Sequence, residues 1–154
     1  MQSVEYEGLK ELDRRFTSVL DKFPSERKEL FERVAQRLEQ EVGQQVSLSG
    51  INDNFGKISS WQVGRVGTGG GYAAVSADGT LGTGPNSPGA ITNYLNSGHR
   101  IRPPGRIKRS RVHVAYVNGY RFYQHTAANA EAIAADEAEK LADELAHELG
   151  GEKA

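Results

Sequence analysis

The chain has 154 residues, of which 37% are hydrophobic, and its 19 Lys and Arg nearly balance its 20 Asp and Glu. This length and composition predict a single domain (1–154) with a modest core and exclude a fully disordered chain. The absence of cysteine excludes disulfides and thiolate chemistry, and no apolar run approaches the roughly 20 residues of a membrane helix, so we expect no secretory signal and no membrane partner.

The N-terminal part, residues 1–48, is predicted to be helical. Apolar side chains recur at helical spacing over residues 9–23 and again over residues 30–46. Pro24 and Ser25 lie between the two patterns, where proline suits a first helical turn and serine suits an N-cap. We therefore expect two amphipathic helices that are interrupted at Pro24.

Residues 51–89 are predicted to hold a hairpin and a glycine-rich loop. Residues 61–66 and 72–76 have the composition of strands, and the glycines between them permit the positive φ angles of a hairpin turn. Residues 78–85 are predicted to be a long flexible loop. Residues 88–95 then predict a short helix that ends before Gly98, which suits the left-handed position after a helix.

The C-terminal part is predicted to hold an exposed arm, a strand and a helix. Residues 99–111 contain two prolines that exclude a helix or a central strand. Residues 111–117 alternate like a half-buried strand, and residues 120–149 predict one long helix. Its predicted apolar face consists of Ala127, Ala130, Ala134, Ala138, Leu141, Leu145 and Leu149. The expected fold class is α+β: a small antiparallel sheet with an amphipathic N-terminal helix, a long C-terminal helix and an extended basic arm.

Charge is strongly segregated along the chain. Residues 79–130 contain seven Lys or Arg and no acid, whereas residues 131–149 contain seven acids and one Lys. The arm is predicted to contact duplex DNA or an acidic partner through Arg100, Arg102, Arg106, Lys108, Arg109 and Arg111. Three alternatives stay open: a solvated loop, pairing with the acidic helix of the same chain, or pairing with that of a neighbouring copy.

The sequence holds no convincing catalytic or metal-binding motif. Residues 50–59 imitate a phosphate-binding loop, but five residues separate the glycines instead of four, and Ile58 cannot bind magnesium. The four histidines lack the spacing of zinc ligands, and no Gly-x-Ser-x-Gly motif is present. We therefore expect a protein that is not an enzyme, with no catalytic residue, no metal and no cofactor.

Four ordered motifs resemble one family of tailed-bacteriophage proteins. They are Gly56-Lys-Ile-Ser-Ser-Trp61, Val66-Gly-Thr-Gly-Gly-Gly-Tyr-Ala-Ala-Val75, Gly89-Ala-Ile-Thr-Asn-Tyr-Leu-Asn-Ser-Gly-His99 and Val117-Asn-Gly-Tyr-Arg-Phe-Tyr123. The family comprises the neck (head–tail connector) proteins, which are the gene-product-ten-like minor virion proteins of lambdoid phages. Many of its members have a shorter segment where this chain has the arm.

The resemblance implies a non-enzymatic structural protein, made in the bacterial host cytoplasm and located in the virion at the head–tail junction. It implies a homo-oligomeric ring of six or twelve copies around the DNA channel, in contact with head-completion and tail proteins and with packaged duplex DNA. A tail-completion or tail-terminator ring is an alternative position, and a free duplex nucleic-acid-binding module is the alternative of another class. Together with the charge pattern, the resemblance suggests these inter-subunit residues: Gly67, Gly69, Gly70, Gly71, Tyr94, His99, Glu137, Asp143 and Glu144.

Overall fold

The computed structural model describes residues 7–101 and 115–150, which adopt the predicted α+β fold. The helices are α1 (Glu7–Leu48), α2 (Lys57–Ser60), α3 (Pro88–Ser97) and α4 (Phe122–Gly150). The strands are β1 (Gln62–Val66), β2 (Ala73–Ala77), β3 (Gly98–Arg100) and β4 (Tyr116–Asn118). The strands form two separate two-stranded antiparallel sheets, β1–β2 and β3–β4. The long helices α1 and α4 pack against each other, and the β1–β2 sheet lies on α1.

The predicted interruption at Pro24 is wrong, because α1 continues through it as one helix of 42 residues. Proline removes the N–H that would bond to the carbonyl of Leu20. Leu20 is 70% exposed, so water can hydrate that carbonyl on this side of the helix. The Ser25 hydroxyl also donates to the Lys22 carbonyl oxygen at 2.7 Å and thus satisfies a backbone acceptor of the same turn.

The predicted hairpin is confirmed. The strands β1 and β2 pair from Gln62 opposite Ala77 to Val66 opposite Ala73. In the connecting turn the Gly67 N–H donates to the Tyr72 carbonyl oxygen at 2.9 Å. The following segment, predicted as a flexible loop, begins with a 3₁₀ turn, Gly79–Leu81, because the Asp78 carboxylate accepts from the Thr80 N–H at 2.9 Å.

The core lies where α1 meets the sheet and α4. One cluster joins Val42 and Val46 of α1 to Ile58 and Phe122, and a second joins Val34 and Leu38 to Ile133. The predicted face of α4 is therefore partly wrong. Bulky side chains hide more apolar area than alanine does, so α4 turns Phe122 and Ile133 inward. The exposed members of the predicted face are Ala127, Ala134 and Ala138.

The second sheet follows α3. α3 ends before Gly98, as predicted, but Gly98 has φ +83° and ψ 170°, which is not the left-handed helical conformation that was expected. Gly98 pairs with Asn118, and Arg100 pairs with Tyr116. All three residues of β4 are exposed, so the predicted half-burial is wrong for the described part of this strand. An isolated two-stranded ribbon has no second layer to cover it. The other residues of that predicted strand, 111–114, lie outside the described residues.

Candidate interaction surfaces

Two neighbouring acids of α4, Asp136 and Glu137, form ion pairs with arginines of α1. Glu137 is 3% exposed, and its Oε2 accepts from Arg33 Nε at 3.0 Å. Its Oε1 accepts from Arg37 Nη1 at 2.8 Å and from Lys140 Nζ at 2.9 Å, and Asp136 also contacts both of these bases. Hydrogen bonds from Lys140 and Arg37 hold the pKa of Glu137 below its ordinary value. Its carboxylate is therefore engaged within the chain, whereas the sequence suggested an inter-subunit contact.

Of the other five acids of α4, only one has an ion-pair partner among the described residues. Glu148 pairs with Lys22 of α1. Four exposed carboxylates make no ion pair with any of the residues the structure describes: Glu131, Glu139, Asp143 and Glu144. These four carboxylates are exposed and unpaired, so Asp143 and Glu144 remain candidates for contact with a basic partner.

The described end of the basic arm lies beside the N-terminus of α4. Arg100 is exposed on β3, and the next residue, Ile101, donates its N–H to the Ala115 carbonyl oxygen at 3.0 Å. The end of α3, which leads directly into the ribbon, is held to α4 because the side-chain Oδ1 of Asn96 accepts from the Tyr123 N–H at 2.9 Å. The other predicted contact residues lie outside the described residues: Arg102, Arg106, Lys108, Arg109 and Arg111.

Tyr94 and His99 lie beside the root of the arm. Their ring centroids are 5.5 Å apart, and Tyr94 is 41% exposed. His99 is half-buried, and its Nδ1 is buried without a hydrogen-bond partner among the described residues. The pair presents an aromatic edge to solvent at the same end of the molecule as Arg100.

The glycine tip of the β1–β2 hairpin packs on the chain's own α1. Gly70 lies 3.6–3.7 Å from Lys28, measured from the position that a Cβ would take, and Arg27 Nη2 donates to the Gly69 carbonyl oxygen at 3.1 Å. Gly67 packs against the Tyr72 ring. The exposed members of the tip are Gly69 and Gly71. Part of the predicted inter-subunit element is thus occupied by an intramolecular contact.

An exposed apolar surface on the first half of α1 was missed by sequence reasoning. We call it the α1 stripe, and its members are 40–70% exposed: Leu9, Leu12, Phe16, Leu20 and Phe23. The periodicity identifies the apolar face but not what covers it. The lengths of the elements explain the exposure, since the 42-residue α1 spans about 63 Å whereas a five-residue strand of the hairpin spans about 17 Å. A hairpin that short leaves much of α1 uncovered.

Within residues 7–101 and 115–150, no group of three or more His, Asp or Glu side chains is placed to hold a metal ion, and no helix is long and apolar enough to cross a membrane. A comparison with known proteins finds no family model, no curated protein and no solved structure that matches the chain.

Proposed function

We propose that the chain is a non-enzymatic structural protein of a tailed-phage virion, which forms a ring at the head–tail junction around the DNA channel. The family resemblance of its four motifs suggests this role. The observation that supports it best is the placement of opposite charge at opposite ends of α4.

The basic arm leaves the fold near the N-terminal end of α4, which begins at Phe122. Asp143 lies 21 positions further along this helix, which is about 32 Å at 1.5 Å per residue. Asp136 and Glu137, which lie between these two positions, already form ion pairs with α1. The unpaired negative charge near Asp143 is therefore distant from the root of the arm in the same chain.

A head-to-tail arrangement brings these opposite charges together. The arm of one copy then meets the exposed acids Asp143 and Glu144 of the next copy, which is a heterologous contact because the two surfaces differ. Such contacts produce a closed ring when the rotation between copies permits it. Charge complementarity of this kind fixes the register and orientation of the copies more than it adds affinity.

A charge-swap experiment tests this arrangement. The variant Asp143→Lys/Glu144→Lys should fold but fail to form rings, and so should Arg106→Glu/Lys108→Glu/Arg109→Glu. Mixing the two variants should restore contact between copies, because the reversed charges attract again. Ring formation is followed by electron microscopy and native mass spectrometry, which also give the copy number.

A matched control is Asp21→Lys/Glu29→Lys, which changes the same number of exposed acids on α1 and should leave ring formation intact. If each charge-reversed variant forms rings by itself, the proposed contact is wrong. Virions that lack this chain at the neck would contradict the proposed location. Tight duplex binding by the free protein, weakening steeply with salt, would instead favour a nucleic-acid-binding module.

A further inference from the structure

The spacing of the α1 stripe is the same in both directions along the helix. Its members, Leu9, Leu12, Phe16, Leu20 and Phe23, follow one another at intervals of three, four, four and three residues. A two-fold contact requires a patch that is complementary to itself. An antiparallel copy centred on Phe16 places Leu12 opposite Leu20 of the second copy and Leu9 opposite Phe23 of the second copy.

We propose that the α1 stripe pairs two copies of this chain in an antiparallel contact, with Phe16 on the two-fold axis. Helical periodicity places Lys10, Arg14 and Asp21 on the opposite side of α1, so the contact does not bury these charges, while Asp13, four residues after Leu9, lies at the edge of the stripe. The occupant of the stripe is thus the same stripe of a second copy.

The stripe continues the core-facing side of the same helix. Val19, between its members, is covered and only 9% exposed, and Val34 further along is in the core. The β1–β2 hairpin, which covers this side of α1 near Val34, ends where Gly69 meets Arg27. Beyond that point the apolar face continues without the sheet, so a second copy would extend an existing core.

The available area is sufficient for a weak, specific contact. If a fully exposed Leu or Phe side chain presents about 200 Å², the five members expose about 500 Å² per copy and about 1,000 Å² per pair. Specific protein–protein interfaces bury at least about 1,000 Å² in total, and transient interfaces are among the smallest of them. The protein should therefore exchange between monomer and dimer with concentration.

Sedimentation analysis of the full-length protein tests the pairing. The wild type should shift from monomer to dimer as its concentration rises, and Leu20→Glu should weaken this step by about tenfold or more, because it places a charge against the apolar Leu12 of the second copy. Leu20 is 70% exposed, so the substitution should leave the fold and its circular dichroism unchanged. The control is Leu48→Glu, 78% exposed on the same helix, which should dimerise like the wild type.

Cross-linking determines the geometry, because the chain has no cysteine of its own. Upon oxidation Phe16→Cys should link to itself, whereas Leu9→Cys should link to Phe23→Cys in a mixed sample but not to itself. A monomer at every concentration, an unchanged dimer in Leu20→Glu, or self-linking of Leu9→Cys would each overturn the proposal. A ring formed through the arm would survive Leu20→Glu, so this pairing and the proposed ring succeed or fail separately.

Discussion

At the residue scale, Gly64 marks the closest approach of β1 to α1. A Cβ at this position would lie 2.4 Å from the Ala35 carbonyl oxygen and 2.7 Å from its carbon. The Gly64 N–H also donates to Glu39 Oε2 at 2.8 Å, which fixes the strand on the helix. Because the nearest atoms belong to the α1 backbone, β1 or α1 would have to move to make room for a Cβ.

Gly64→Ala should therefore lower the free energy of unfolding by about 1–3 kcal/mol, which is typical of overpacking. Gly69→Ala is the control, since no atom lies within 4 Å of its Cβ position, and it should change stability by less than about 0.5 kcal/mol. Urea denaturation measures both variants. Equal stability of the two would show that β1 can move away from α1 at no cost.

Glu137 should give stability that depends on pH. Its pKa is lowered by the hydrogen bonds from Lys140 and Arg37, so its contribution is complete above its unfolded pKa of about 4.3 and is lost as pH falls through its lower folded pKa. Glu137→Gln should lower the free energy of unfolding by about 1–3 kcal/mol at pH 7, because the buried carboxylate is the shared counter-charge of the partly exposed Arg33, Arg37 and Lys140.

Denaturation at a series of pH values measures this difference, which should be constant from pH 7 to about 5 and should shrink below about 4. The exposed Glu139, which has no ion pair within the described residues, provides the control Glu139→Gln with little effect at any pH. A difference that persists at low pH would mean that packing of Glu137, rather than its charge, stabilises α4.

At the element scale, Pro24 lies inside a helix that sequence rules would end there. Proline in a helix interior costs about 3 kcal/mol relative to alanine, although it also restricts the unfolded chain. Pro24→Ala should therefore raise the free energy of unfolding by about 1–2 kcal/mol and restore the hydrogen bond to the Leu20 carbonyl. Thermal denaturation followed by circular dichroism measures the effect, with the exposed Thr17→Ala as control. A less stable variant would show that the proline stabilises the folded chain by more than it costs the helix.

Elements with local signals were the predictable part of this fold. The glycines of the β1–β2 turn and Gly98 after α3 act through neighbouring residues, so the sequence reveals them directly. Glu137 could not be predicted as buried, because its partners Arg33 and Arg37 lie about a hundred residues away in sequence. The α1 stripe was visible as a pattern, but its exposure depends on where another element ends.

At the scale of the whole molecule, the core is concentrated toward one end of the paired helices. The fully buried side chains Val42, Val46 and Phe122 lie where α1 meets the start of α4, whereas the α1 stripe at the other end is exposed. Regions with few buried apolar contacts open at lower free energy than the core does. The chain should therefore have a gradient of stability along α1.

Hydrogen exchange read by mass spectrometry should show this gradient. Amides of residues 34–46 should exchange only through global unfolding, and those of residues 9–23 should exchange much faster in dilute protein. Because a second copy stabilises only the state that it binds, protection of residues 9–23 should rise with protein concentration while that of residues 34–46 stays the same. The same rise should be absent in Leu20→Glu and present in Leu48→Glu. Uniform protection along α1 at low concentration would show that the first half of the helix is held by contacts within one chain, and the stripe would then need no partner to be stable.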